Sequence, residues 1–181
     1  IAIAKDKPGQ LNHGSTGSGS MGHLGAVLFR SMAGIKIALV TYKGAPQVLT
    51  ALLSGELQLY LIGSAGTVVP QVKAGRIRAL GVGAKQRIAA LPEVPSISET
   101  LPGYEARGWN GILAPAGTPK PVIDRLHGEI VKVVRSPEFG QVMTGEGATA
   151  VGNTPAEFDA IIRADVKKWA KIIKEAGIRA E

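Results

Sequence analysis

The sequence predicts an α/β protein organised around a parallel sheet. Three observations carry that prediction. Short apolar, β-branched runs alternate with helical segments through the first 83 residues, the helical segments each end at a glycine, and the loops between them are short. Successive strand, helix, strand units of this kind return the chain in the same direction each time, which is the pattern of a parallel sheet.

Taken in order, residues 11–15 read as a strand. Residues 21–32 read as a helix, with Leu24, Leu28 and Met32 at helical spacing before Gly34. Residues 35–42 form the second strand. Residues 45–54 form a helix with Val48, Leu49, Leu52 and Leu53 on one face, closed by Gly55. Residues 57–62 are a third strand, 67–74 a helix ended by Gly75, and 76–83 a fourth strand. Pro92, Pro95, Pro102 and Gly103 interrupt residues 85–103, which read as irregular. Residues 104–114, with Trp109, Ile112 and Leu113, read as extended.

Three helices with marked starts follow. Thr118 before Pro119 reads as an N-cap with proline in the first turn, and Ser136 before Pro137 repeats the device. Thr154-Pro155-Ala156-Glu157 is a capping box, in which hydroxyl and carboxylate satisfy backbone donors reciprocally. These helices carry apolar stripes but no sheet of their own to cover them. Their partner surface is expected elsewhere.

Composition narrows the function. The 181 residues are 45% apolar and 19% charged, which excludes a disordered chain. With no cysteine, disulfides, thiolate nucleophiles and Cys-ligated metals are excluded. No run approaches the roughly 20 apolar residues of a membrane span, and no signal-peptide core is visible. The chain starts at Ile1 in mid-pattern, which leads us to expect further sequence upstream. Of the net charge of +7, residues 1–80 supply +6, from eight Lys or Arg against Asp6 and Glu56. Together with the early concentration of glycine, this places the expected ligand side, for an anion, in the first half.

Residues 14–23, GSTGSGSMGH, lie between a strand and a helix. Gly17, Gly19 and Gly22 spell the G-x-G-x-x-G dinucleotide pattern in its usual setting. That pattern needs an acidic residue about 20 positions further on, and none occurs between Asp6 and Glu56; Lys43 keeps an NADP-type site open as an alternative. The other reading uses the backbone N–H groups of a glycine turn at a helix N-terminus, where unpaired donors and the positive end of the helix dipole favour a small anion. The hydroxyls of Ser15, Thr16, Ser18 and Ser20 add donors. A second small-residue loop, Gly63-Ser64-Ala65-Gly66-Thr67, follows the third strand. In an open parallel sheet, loops leaving the carboxyl ends of neighbouring strands share one edge, so both loops are expected to face one pocket.

Catalytic signatures are missing. No G-x-S-x-G elbow follows a strand, and His13, His23 and His127 lack metal-ligand spacing. His23, at the start of the helix after the loop, can reach a ligand; His127 reads as filler, and Trp169 and Phe158 read as core. At 4% aromatic residues, a nucleic-acid stacking surface is not expected.

The stretches LNHGSTGSGSMGHLGAVLFRSMAGIKIALVTYKGAPQVLTALLSGELQL, PQVKAGRIRALGV and LPEVPSISETLPGYEARGWNGILAPAGTPKPVIDRL, with the Thr154 box and Trp169-Ala170-Lys171, resemble the Bug-type extracytoplasmic receptors of tripartite tricarboxylate transporters. The resemblance covers essentially the whole chain. It implies an α/β periplasmic-binding-protein-like fold (Venus flytrap, type II) with one lobe nearly complete, residues 1–106, and the other partial, residues 107–181. It implies a non-enzymatic, periplasmic solute-binding protein without a cofactor, a monomer when full-length. Such a protein captures a small carboxylate and delivers it to a membrane permease. The family's ligand loop maps onto Ser15, Thr16, Gly17, Ser18, Gly19 and Ser20, with His23 on the next helix and Gly63 and Ser64 on the second loop. Many relatives carry acidic residues where this chain has Gln58 and Ile62, which implies plain mono- or dicarboxylates over amino acids. The alternative is an NADP-binding Rossmann-type oxidoreductase fragment.

Overall fold

A computed structural model of the chain describes residues 1–62 and 65–178. Its sheet has three parallel strands, β1 (Asn12–Ser15), β2 (Ala38–Thr41) and β3 (Leu59–Tyr60), in the order β2-β1-β3. Asn12 pairs with Ala38 and Ser15 with Thr41 on one side, and His13 with Leu59 and Gly14 with Tyr60 on the other. The first strand is therefore central, and the loop leaving it starts from the middle of the sheet's carboxyl edge.

Around the sheet lie α1 (Ala2–Asp6), α2 (Met21–Ala33), α3 (Ala45–Leu53) and α4 (Val69–Lys73). Helix α2 ends where Gly34 takes a left-handed backbone (φ 61°), as expected of a glycine C-cap. Side chains alternate along β1. Gly14 faces α3 so closely that a Cβ there would collide with the side chains of Val48 and Leu57, while His13 and Ser15 face the other way, fully buried. The core is divided: Ala4, Ala33, Ile35 and Ile37 form one cluster, Val48, Ala51 and Leu57 a second, and Val69, Leu91 and Val94 a third.

The second half contains α5 (Lys120–Val134), α6 (Pro137–Gly145) and α7 (Pro155–Glu175). Among their described residues only Trp169 is buried. Val122, Leu126, Val133, Val142 and Val166 are exposed, as are Ile112 and Leu113 before them. The expected shortage of a partner surface is thus visible as uncovered apolar side chains. The two halves meet where α7 packs on α2 and where Lys168 Nζ donates to the Glu105 carbonyl at 2.7 Å.

Several sequence expectations need correction. Residues 76–83 form no strand: Val82 alone makes an isolated parallel bridge, to Ser96, with Val82 N donating to the Pro95 carbonyl at 2.9 Å. An extended run becomes a strand only with neighbours to complete its ladder, and the backbone bonds joining this one to later segments come only at its end, between Val82 and both Pro95 and Ile97 and between Gly83 and Ala106, among the described residues. Residues 104–114 also join no sheet; Ala106 N donates to the Gly83 carbonyl instead. Thr118 is not an N-cap, because helix α5 starts two residues later and the Thr118 hydroxyl turns back to the Pro115 carbonyl at 2.8 Å. The three strands and α4 are shorter than expected. In the stretch expected to be irregular, a single 3-10 turn, Ile97–Glu99, carries its own capping box from Ser96 and Glu99. Arg87 clamps that turn through the Glu99 carboxylate at 3.0 Å.

The Thr154 box forms as expected, with Glu157 N donating to the Thr154 hydroxyl at 3.3 Å and Thr154 N donating to the Glu157 carboxylate at 2.8 Å. Thr154→Ala is expected to lower stability by about 1 kcal/mol, and urea unfolding followed by circular dichroism measures it. An unchanged midpoint would mean that α7 starts without its cap.

Candidate ligand-binding site

The loop from Ser15 to Ser20 is held by glycines in two different ways. Gly17 (φ 128°) and Gly19 (φ 77°) adopt backbone conformations that side chains rarely tolerate, and no atom lies within 4 Å of a Cβ placed there. Gly22, on α2, has an ordinary backbone. A Cβ on it would sit 2.6 Å from the Leu61 carbonyl oxygen, so its lack of a side chain lets the start of α2 lie against the chain just past β3. Gly25, one turn on, similarly admits Ala106 and Tyr104, whose buried hydroxyl donates to the Gly25 carbonyl at 3.1 Å. The glycine spacing that resembles a dinucleotide fingerprint is therefore explained by two turn positions and one close approach.

The loop's polar groups are engaged locally. Gly17 N donates to the Ser15 hydroxyl at 3.3 Å and Ser20 N to the Gly17 carbonyl at 3.3 Å. Gly19 N donates to Nδ1 of His23 at 3.0 Å, while His23 N donates to the Ser20 hydroxyl at 3.2 Å. The imidazole thus sits where an anion would bind the N–H of Gly19. Bonding through Nδ1 requires the neutral ring, and burial together with the Arg30 charge lowers the His23 pKa. The expectation of open backbone donors at Ser18, Gly19 and Ser20 is corrected for Gly19 and Ser20: each N–H already has a protein partner, so a ligand must exchange for it. Ser15 is buried, whereas Thr16, Ser18 and Gly19 are exposed at the mouth of the turn.

Behind the loop, His13 is completely buried. Its Nε2 accepts the Leu61 N–H at 2.8 Å, and its Nδ1 is a buried atom without a hydrogen-bond partner. Desolvation first, then the charges of His23 and Arg30, push its pKa down to about 4. The sequence reading treated this residue only as a non-ligand; its role is to tie the end of β3 to β1.

The second loop is described only in part. Gly63 and Ser64, two of the expected site residues, lie outside the described residues. Gly66, two residues on, has the Glu146 carboxylate packed directly on it, and Gly147 lies against Ala65. A carboxylate from the second half therefore already lies against this small-residue loop. Of the other sequence candidates, the His127 ring nitrogen Nε2 lies 3.0 Å from the Asn153 carbonyl in a structural contact. Trp169 is core as expected, and Phe158, only half-buried, packs edge-on against Trp109 at 4.9 Å between ring centroids. A cleft of about 450 Å³ runs from Met21, directly after the loop, to Trp109, Ile162, Val166 and Trp169. The sequence reading did not find it, because its walls come from segments more than 80 residues apart. A larger concavity of about 830 Å³ is lined by Val72, Ile77, Leu80 and Pro95 among others, and by no described residue of either loop.

A parallel sheet whose central strand hands a glycine turn to a helix, with a second small-residue loop beside it, has the form of a lobe of an α/β solute-binding protein. Sequence comparison makes the assignment specific: residues 1–178 match the description of the tripartite tricarboxylate transporter family receptor, TctC, and the chain belongs to that family. It is 33% identical over 182 residues to a protein encoded in the tcbD-tcbE intergenic region of a Pseudomonas species, an alignment covering 99% of this chain and 54% of that one. It is 29% identical to the protein BugT of Bordetella pertussis, over 99% of this chain and 55% of the relative. Among solved structures, an R. palustris protein determined with adipate superposes with a TM-score of 0.85 at 30% identity, covering 98% of this chain and 59% of that one. The chain thus spans about half the length of the curated relatives it matches. The fold is that of the family's solute-binding proteins, with part of their two-lobed architecture represented. The oxidoreductase alternative finds no support in these relationships.

Because His13 is neutral in the fold but titrates near 6.5 when unfolded, the unfolded chain binds the extra proton between those values. The stability His13 contributes is complete above about pH 6.5 and falls as pH drops toward 4, by up to about 3 kcal/mol; the lowered pKa of His23 acts in the same direction. His13→Gln should flatten the dependence of melting temperature on pH across that window. An undiminished slope in the variant would assign the acid sensitivity to other groups.

Proposed function

We propose that this chain is the ligand-binding part of a periplasmic receptor that captures a small carboxylate and hands it, unchanged, to the membrane permease of a tripartite transporter. In this reading residues 1–106 make up the ligand-loop lobe, and residues 107–181 belong to the other lobe. The receptor binds no cofactor, performs no reaction, and is a monomer at family length.

The observation that carries the reading is the family match over residues 1–178. It is supported by the R. palustris relative solved with adipate and by the placing of the β1–α2 turn at the carboxyl edge of the sheet, where open α/β sheets bind ligands. The carboxylate is received at Ser15 to Ser20. Thr16 and Ser18 are exposed at the mouth, and Gly19 N–H becomes available as the His23 ring turns away. His23 then lines the seat, with Gly63 and Ser64 contributing from the neighbouring loop. Closure of a second surface over the seat removes water and strengthens each of these hydrogen bonds. The lack of acidic residues at Gln58 and Ile62 favours acids without an amino group.

A thermal-shift screen of small mono- and dicarboxylates tests the proposal. A ligand at about one hundred times its Kd should stabilise the native state by about 2.7 kcal/mol and raise the melting point by several degrees. Gly19→Asp places a negative charge at the seat and should abolish that rise. A carboxylate response that survives the substitution would remove the loop from the site.

A further inference from the structure

The N–H of Gly19 and Nδ1 of His23 close the β1–α2 turn on itself at 3.0 Å. Nδ1 must offer a lone pair for this bond, so the ring is neutral and its one proton sits on Nε2. The same two atoms define what a carboxylate would meet. Groups 3.0 Å apart are both within reach of one carboxylate, but both donate to it only when Nδ1 carries a proton. With Nδ1 bare, a lone pair faces the oxygens of the acid, acceptor against acceptor, and the ring has to turn out.

The surroundings of His23 provide no anion to hold that proton. No Asp or Glu occurs between Asp6 and Glu56, so β1, α2, β2 and α3 contain no carboxylate. The titratable groups acting on the ring are Arg30, further along α2, and His13 on β1. Helix α7 packs on α2 and brings Asp165 and Lys168. Asp165 accepts from Trp109 Nε1 at 2.7 Å, and Lys168 lies 3.9 Å from the Glu105 carboxylate, which also pairs with Arg107 at 3.1 Å. Glu146 lies on Gly66 of the second loop. Burial first, then Arg30, hold the His23 pKa below its ordinary value, and a position in the first turn of a helix opposes a positive charge further. A carboxylate arriving beside the ring reverses that balance.

We propose that capture of a carboxylate by the β1–α2 turn is coupled to uptake of one proton by His23, which leaves the Gly19 N–H as a neutral acceptor and returns to the acid as an imidazolium donating from Nδ1. The proton comes from solvent, and no bond within the acid breaks. The proposal rests on the carboxylate reading of the turn. Its sign follows from linkage: the complex holds more protons than the free protein between the two His23 pKa values. Affinity therefore rises as pH falls across that window and is flat on either side of it.

The test is calorimetric titration with adipate above about pH 6.5, where ordinary carboxylic acids are ionised and the stability contributed by His13 is complete. The buffers differ in protonation enthalpy and contain neither carboxylate nor phosphate. Heats should differ between buffers by the protonation of up to one site per adipate, and affinity should fall by up to about tenfold per pH unit on raising the pH. His23→Asn keeps an acceptor for the Gly19 N–H but cannot be charged, so its binding should be independent of pH and of buffer. In NMR spectra of the wild-type ring nitrogens, His23 should titrate at higher pH with adipate than without it. Wild-type affinity independent of pH, with equal heats in every buffer and binding still lost in Gly19→Asp, would overturn the proton coupling and leave the carboxylate reading standing. Proton uptake that persists in His23→Asn would overturn the assignment to this ring. No binding of adipate, succinate or acetate, or binding indifferent to Gly19→Asp, would overturn the loop reading and the coupling with it.

Discussion

The position of the β1–α2 loop depends on how closely the start of α2 can lie on the chain leaving β3. Gly22 against the Leu61 carbonyl and Gly25 against Ala106 and Tyr104 set that distance. The His13 side chain fixes the other half of the arrangement by accepting the Leu61 N–H from inside the sheet. Strand β3 is only two residues long, too short to hold its own exit by backbone pairing. The buried imidazole and the missing side chains of two glycines thus substitute for a longer ladder. The buried ring brings an acid-sensitive contribution to stability as a consequence, because the proton that would charge it is excluded from the fold.

The two halves of the chain are stabilised unequally. The first is a sheet with helices and small clusters of buried aliphatic residues, closed on the α2 side by the Tyr104 hydroxyl and its edge contact with Phe29 at 6.0 Å. The second is a set of three helices, two of them with side-chain caps, with almost nothing buried. Capping, side-chain pairs such as Lys120 with Asp124 and Arg163 with Asp159, and good propensity keep these helices formed, but exposed pairs of this kind contribute little to tertiary stability. Their apolar stripes are more than helix formation needs. The chain spans 54% of the Pseudomonas relative and 59% of the R. palustris structure, so proteins of that length have further chain that these stripes lack here.

Much of the fold was legible because its signals are local. Gly34, Gly55 and Gly75 do take left-handed backbones at helix ends, and the Ser136 and Thr154 caps act through bonds within three residues. Expectations failed where the deciding partner is distant or missing. Residues 76–83 have the composition of a strand, yet a strand is a property of two chains side by side, and only Val82 finds a neighbour. Thr118 has the right residue type for a cap, but the Pro115 carbonyl competes for its hydroxyl. The Ser96 to Glu99 box was visible as S-x-x-E and was obscured by the prolines around it. At the site, residue types marked the loop correctly as a polar glycine turn, while its internal bonding was not readable: whether an N–H is free depends on where the His23 ring points. The cleft was least legible, since Met21, Trp109 and Trp169 come together only through the packing of α7 on α2.

The self-bonded state of the loop bears on how strongly any anion can be held there. A carboxylate at Gly19 does not gain a new hydrogen bond in full; it gains the difference between a charged acceptor and the neutral His23 nitrogen, about a twofold stronger bond in place of an ordinary one. The displaced imidazole must then find water or the ligand itself. Such an exchange limits the affinity of the loop acting alone. In the proposed function, tight and selective capture therefore has to draw on a second contact surface that the loop does not provide. The same balance suits the release that the proposed function requires, because the competing acceptor, His23 Nδ1, is already part of the protein.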